Sequence, residues 1–289
     1  MAKLSHSDRA LRTAIIIFLC IFSIVALVPL LSVAAKSFSS KLAVDSDQVA
    51  FWPVGWTLDS WVFMLKEGDL WRSFMVSLAS TLTGTFLCLL VNILMAYPLA
   101  KKEFPVAKVL LLAIVISMIF KAPLIPYFLT VKGIGLYDNP LALVIPHTIS
   151  EFNLLIMITF MRQFPQELEE AAVVEGAGYF RRLFRIVLPL SKASLATLGL
   201  FYAVVIWNQF QTPLLFIQSP QWYPLQTKIR QLISDENALP PMGALFDVNY
   251  NATTLQSVAI VFAVIPILLV YPALQKYFAK GAMIGSVKG

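Results

Sequence analysis

Six stretches of the chain, residues 13–35, 73–100, 109–131, 141–161, 194–217 and 252–275, are free or nearly free of charge. A helix of about 20 residues, rising ~1.5 Å per residue, covers the ~30 Å hydrocarbon core of a bilayer. Inside lipid every backbone N–H and C=O must be paired within the protein, so only helices and closed barrels cross it. The six stretches lack the in–out alternation of barrel strands. They predict an all-α integral membrane protein with six transmembrane helices. Composition agrees: 58% of residues are hydrophobic and 13% charged, where a soluble domain carries about 25% charged residues.

Six spans leave both termini on one side, and the cations decide which. Fourteen of the 22 Lys and Arg residues fall with the termini, seven fall in the opposite loops, and Lys121 lies within a span. Positive charge accumulates on the cytoplasmic side. The expected layout is a cytoplasmic N-terminus at 1–12, a transmembrane domain at 13–278 and a cytoplasmic tail at 279–289. Within the domain, a cytoplasmic loop covers 163–192 and outer loops cover 36–72 and 218–251. The first run follows Lys3, Arg9 and Arg12 as in a signal peptide, but it exceeds the roughly 7–15 apolar residues of one and reads as a retained helix. The net charge of +6 therefore reflects topology, and no clustered stripe points to nucleic acid. Trp52, Trp56, Trp61, Trp71 and Trp222 lie in or beside the outer loops. They read as an interfacial belt or as a surface for a delivery protein or sugar.

Several chemistries are missing. Cys20 and Cys88 both sit inside apolar runs, and His6 and His147 form no paired metal signature. No phosphate loop of the Gly-x-x-x-x-Gly-Lys-Ser/Thr kind occurs, so the chain has no such cradle for ATP. No catalytic residues, metal or cofactor are expected on it. No internal repeat of the kind found in secondary transporters is visible.

The polar loop after the fourth span carries most of the information. Phe164-Pro165 stops the preceding helix, and Gln166 to Glu175 reads as a short helix with Glu167, Glu169 and Glu170 at its positive N-terminal end. Gly176 is a suitable stop, because glycine accepts a left-handed backbone. A second short helix follows, with Tyr179, Phe180, Leu183, Phe184 and Val187 on one face and Arg181, Arg182 and Arg185 on the other. That pattern places the basic side toward lipid headgroups. Pro189 then redirects the chain into the fifth span. By itself this is either an amphipathic connector or a rigid element offered to a partner.

The segment Glu170-Ala171-Ala172, three residues, Gly176, nine residues, then Ile186-Val187-Leu188-Pro189 resembles the signature loop of binding-protein-dependent ABC importer permeases of the bacterial inner membrane (type I importers). Glu175 stands where that family usually has Asp, and Ala193 where a later Pro is common. Ala96-Tyr97-Pro98-Leu99-Ala100-Lys101 and Trp207-Asn208-Gln209-Phe210 are similar to its second-span and fifth-span motifs. The C-terminus from Tyr277-Phe278 through Gly285-Ser286-Val287-Lys288-Gly289 resembles carbohydrate permeases of the maltose-importer type. Tyr223-Pro224-Leu225-Gln226 with Ile229-Arg230 resembles a branch that imports oligosaccharides, one member of which takes up alginate. The resemblance implies a coupling helix that docks on a separate ATPase through Glu169, Glu170, Ala171, Ala172, Glu175, Gly176 and Ala177. It implies a tail (Gly285, Val287, Lys288, Gly289) reaching between two ATPase subunits that hold ATP and Mg. It also implies a second permease subunit, an extracytoplasmic solute-binding protein and a carbohydrate cargo.

The cargo path is expected among polar residues in the spans. Lys121 and Glu151 are the charges inside them, and at similar depth on intact helices they either pair with each other or meet an anionic sugar. Asn153, Trp207, Asn208, Gln209 and Gln211 offer an aromatic face and amides, suited to a saccharide or to bonds between helices. Gln209 replaces the family's Glu and removes a negative charge. Three alternatives stay open: an ion-coupled transporter, for which Glu151 is the one intramembrane carboxylate, a permease of the same superfamily for a non-sugar solute, and a non-transporting scaffold.

Overall fold

The computed structural model describes residues 6–66, 69–234 and 249–284. The described residues are helical throughout their ordered elements. In chain order these are α1 (His6–Ser37), α2 (Lys41–Asp45), α3 (Asp59–Lys66), α4 (Leu70–Ala100), α5 (Ala107–Ile119) and α6 (Leu124–Gly133). Two 3-10 turns, Pro140–Leu143 and Ile145–His147, precede α7 (Glu151–Met161) and α8 (Gln166–Val174). Next, α9 (Tyr179–Arg182), a π-helical turn (Leu183–Val187) and α10 (Leu188–Leu190) form one rod, followed by α11 (Lys192–Trp207) and α12 (Gln211–Phe216). A 3-10 turn at Pro220–Trp222, α13 (Leu225–Ser234) and α14 (Ala252–Ile284) complete the order.

Among the described residues, three helices are long and apolar enough to cross a bilayer unaided: Leu11–Ser37, Leu70–Ala100 and Ala252–Val270. Three further helix pairs are long and apolar enough together but bent; two fall in the expected third and fourth spans, and the last joins the rod of the polar loop to the fifth. Ala107–Ile119 and Leu124–Gly133 meet at 119°, Pro140–His147 and Glu151–Met161 at 47°, and Tyr179–Leu190 and Lys192–Trp207 at 83°. The stretch 109–131 is therefore interrupted where Pro123 and Pro126 fall in the sequence, and the intact helix assumed in placing Lys121 level with Glu151 is absent. The reason is Pro123, whose ring drives Ala122 out of the helical region, while Pro126 falls in the first turn of α6, where no N–H is needed. The stretch 194–217 is also not one helix: α11 ends at Trp207, Asn208 is its C-cap, and α12 starts at Gln211.

The chain forms two compact units. The first contains residues 1–71 and 229–266. Here Ser39 anchors the turn after α1, its hydroxyl donating to the Ala35 carbonyl at 2.7 Å and accepting from the Val54 N–H at 3.1 Å. Phe38 stacks on Trp56 and Trp61 with ring centroids 5.2 and 5.4 Å away. Two of the five outer tryptophans thus serve local packing, whereas Trp52 is 77% exposed. Asn251 and Thr254 cap α14 reciprocally, each side chain accepting the other's N–H at 2.8–3.0 Å. The flanks of α1 are bare, with Phe18 67% and Phe22 65% exposed.

The second unit contains residues 72–228 and 267–289. Its main core joins α4 (Ile93, Ala96, Tyr97) to α7 (Leu154, Met157, Ile158), α11 (Leu198) and the π turn (Leu183, Val187). Lipid tails are as apolar as leucine, so close packing rather than water exclusion must hold such helices together. Gly84 shows the closeness: a Cβ there would stand 2.7 Å from Ile206 Cδ1. Buried polar pairs add direction. Asn92 Nδ2 donates to the Tyr202 hydroxyl at 3.0 Å, and Cys88 Sγ reaches the His147 carbonyl at 3.2 Å. The second apolar cluster of this unit packs Phe216 against Tyr127 and Phe128.

Candidate functional site

The short helix α8 begins after Pro165 and ends before Gly176, whose φ of +77° lies in the left-handed region. The seven expected docking residues separate into two groups. Glu170, Ala171, Glu175 and Gly176 are exposed, Ala177 is half-buried, and Ala172 is buried. Val173 and Val174 join the open face at 51% and 89% exposure. Glu169 turns the other way. Its carboxylate contacts Lys101 Nζ, accepts from the Tyr97 hydroxyl at 3.3 Å and lies 3.7 Å from Arg182 Nη1.

The rod that follows differs from a simple two-faced helix. Leu183 and Val187 are buried, but Tyr179, Phe180 and Phe184 of the same predicted face are 68%, 70% and 51% exposed. Arg182, expected to face headgroups, instead packs inward, its guanidinium carbon 4.5 Å from the Tyr179 ring centroid. A π turn follows at Leu183–Val187. Pro189 has no N–H to donate and its ring crowds the preceding turn. The extra residue in the turn absorbs this, with the Leu188 N–H reaching the Leu183 carbonyl. The added residue rotates the rod by part of a turn, which breaks the 3.6-residue periodicity.

The candidate path residues are gathered at the helix breaks. Lys121 lies in the α5–α6 corner, and Glu151 opens α7. Lys121 Nζ is 3.2 Å from both Glu151 carboxylate oxygens, so the two are paired. The lysine side chain is nonetheless 67% exposed, and the glutamate 23%.

Gln209 occupies the break after α11 and is 6% exposed. Its Nε2 donates to the Leu143 carbonyl at 3.0 Å, which fixes the amide orientation. Its Oε1 then accepts from His147 Nε2 at 3.1 Å, placing the imidazole proton on that nitrogen. Thr212 Oγ1 lies 3.3 Å from the same nitrogen. Gln209 thus ties the break after α11 to the 3-10 turns before α7. Trp207 is buried edge-on to Phe74, 6.0 Å between centroids, with its indole N–H unpartnered. Asn153 is buried and faces the Tyr202 hydroxyl. Asn208 and Gln211 are exposed, Asn208 donating back to the Val204 carbonyl at 2.9 Å. Gly285, Val287, Lys288 and Gly289 lie outside the described residues.

A latch that the sequence did not reveal closes the loop before Pro140. Asp138 accepts from the Gln218 and Ser219 N–H groups at 2.9 and 2.8 Å and from the Ser219 hydroxyl at 2.7 Å. The Ser219 hydroxyl and then the two N–H donors hold its carboxyl below the ordinary carboxylate range. A depressed folded value means that the latch is complete above the unfolded pKa and is lost as pH falls through the folded one. In detergent, Asp138→Ala should lower the melting temperature slightly at neutral pH. The difference from the parent protein should shrink once the pH drops below the carboxylate range.

Among the described residues, three long apolar helices, three bent helix pairs and a short polar helix held against α4 define a helical membrane protein. The description of a protein family, binding-protein-dependent transport system inner membrane component, fits residues 74–283, and the chain belongs to that family. It is similar to the polygalacturonan/rhamnogalacturonan transport system permease protein YtcP of Bacillus subtilis (strain 168), with 36% identity over 276 residues that cover 94% of this chain and 96% of the relative. Protein LplC of the same organism is 39% identical over 296 residues, covering 99% and 97%. Among solved structures, a chain of a bacterial ABC transporter involved in the import of the acidic polysaccharide alginate has a TM-score of 0.90 at 30% identity, covering 96% of this chain and 100% of that one. The protein is therefore a multi-pass permease subunit of an ABC importer and not an enzyme. Its family works in general with a further permease, ATPases and a binding protein. The ion-coupled and scaffold alternatives are set aside by this membership.

Proposed function

We propose that the chain is one of two different permease subunits of an importer for an acidic oligosaccharide, with both termini and α8 on the cytoplasmic side. One of two ATPase subunits that hold ATP and Mg docks on the open face formed by Glu170, Ala171, Val174 and Glu175. The C-terminal tail reaches between the two. A solute-binding protein delivers the sugar on the opposite side. The family resemblance supports the pairing with a non-identical permease, and the cation count supports the sidedness.

The observation that carries the cargo class is the Lys121 ammonium, 67% exposed at a broken-helix corner within an apolar stretch. An intramembrane charge faces water or a partner rather than lipid, and non-helical backbone at membrane depth lines protein or an aqueous cavity. Glu151 holds the lysine from one side and leaves the other side open to a carboxylate. The acidic cargo named for the alginate transporter and the polygalacturonan named for YtcP support the same class. Asn208 and Gln211, also exposed, offer amides to sugar hydroxyls.

The test is uptake into proteoliposomes containing the full complex, comparing an oligogalacturonate with a neutral oligosaccharide of equal length. Lys121→Gln should reduce flux of the acidic sugar about tenfold, equivalent to ~1.4 kcal/mol, while the ATPase remains assembled. Equal uptake of acidic and neutral sugars by the parent complex, or an unchanged flux in the variant, overturns the cargo assignment.

A further inference from the structure

We propose that Glu169 is an internal strut that carries the movement of α8 to α4, and not a contact for the ATPase. The proposal rests on α8 being the docking element. One carboxylate joins three segments: Lys101 and Tyr97 at the end of α4, Glu169 itself on α8, and Arg182 on α9. The side chains of Lys101, Glu169 and Arg182 are 25%, 14% and 12% exposed. Aromatic faces hold both cations, with Lys101 Nζ 4.8 Å from the Tyr97 ring centroid and Arg182 Cζ 4.5 Å from that of Tyr179. Glu170, next in sequence, is exposed.

The geometry divides the labour between adjacent glutamates. Successive residues on a helix point about 100° apart, so one side of α8 is left for a partner and the other is committed to its own chain. Removing the Glu169 charge leaves Lys101 and Arg182 confined together without a counterion, which drives them apart. Leu183 and Val187, packed in one core with Tyr97, complete a stiff connection. Helix α4 then continues to Ser77, whose hydroxyl accepts the Leu225 N–H at 2.8 Å. Twenty residues separate Tyr97 from Ser77, about 30 Å of helix. A push on α8 therefore reaches the far end of α4 without passing through a flexible loop.

The test uses the reconstituted complex with its binding protein and an oligogalacturonate as cargo. Val174→Cys, at a position 89% exposed, reports docking by cross-linking to the ATPase. ATP hydrolysed per sugar imported reports coupling. In Glu169→Lys the cross-link should persist while import per ATP falls about tenfold, within the ~5–150-fold range of a lost coupling free energy. The exchange Lys101→Glu with Glu169→Lys should restore most of it. Glu169→Gln, which keeps an acceptor for Tyr97, should show a smaller loss even where the reversal fails to fold. Unchanged import per ATP in Glu169→Gln and Glu169→Lys overturns the strut, as does loss of the cross-link in folded Glu169→Lys. No cross-link in the parent complex instead overturns the docking reading of α8.

Discussion

Gln209→Leu destabilises the detergent-solubilised protein by roughly 2–6 kcal/mol, because two buried groups lose their partners at about 1–3 kcal/mol each. The Leu143 carbonyl loses its donor at 3.0 Å, and His147 Nε2 loses its principal acceptor at 3.1 Å. Thr212 Oγ1 at 3.3 Å recovers part of the second loss. Gln209→Glu separates the two bonds, since a carboxylate still accepts from His147 but cannot donate to Leu143. It should fall between the parent and the leucine variant in denaturant or thermal unfolding. A leucine variant as stable as the parent would show that the bridge does not hold the two breaks together. The same bridge fixes the end of α11 relative to the start of α7, so import should decline along with stability.

Leu183→Ala produces the second large loss, about 2–5 kcal/mol, as expected for a buried leucine whose cavity cannot collapse. Leu183 is 2% exposed and sits in the π turn among Tyr97, Leu154 and Val187. Val174→Ala is the matched control: its side chain is 89% exposed on α8, and such positions lie within about 0.5 kcal/mol of neutral. The two substitutions remove apolar atoms from the same loop yet differ in what those atoms touch. Unfolding of the solubilised subunit measures the contrast. Similar losses at both sites would mean that the loop packs on the core differently from the arrangement described here. In the assembled importer, Leu183→Ala should also weaken coupling, because Leu183 belongs to the connection between α8 and α4.

The loop shows how far sequence reasoning reached. Pro165, the early glutamates and Gly176 are local signals, and they gave the limits of α8 to within a residue. The inward turn of Arg182 was not legible, since it depends on Glu169, which is itself held by Tyr97 and Lys101 about 80 residues before Arg182. The Lys121–Glu151 contact is one of the two readings that two charges in apolar surroundings allow. The argument for it assumed straight helices, whereas the structure brings the pair together at two breaks. Pro123 marked one of them. The break at Asn208 has no proline, and its partner Gln209 gains meaning only beside Leu143 and His147. Nothing in the spacing of Asp138 and Ser219 announces their contact.

By itself the sequence determined the solvent, the helical class and the limits of the short polar helix. These follow from single-segment properties: apolar length, proline and glycine. Only the tertiary structure decided which of two adjacent glutamates faces outward, where three of the crossings bend and which polar groups satisfy one another. In lipid, segments distant in sequence are chosen as neighbours by close fit and by the need to pair every buried polar group, and that choice is written between helices rather than within any one of them.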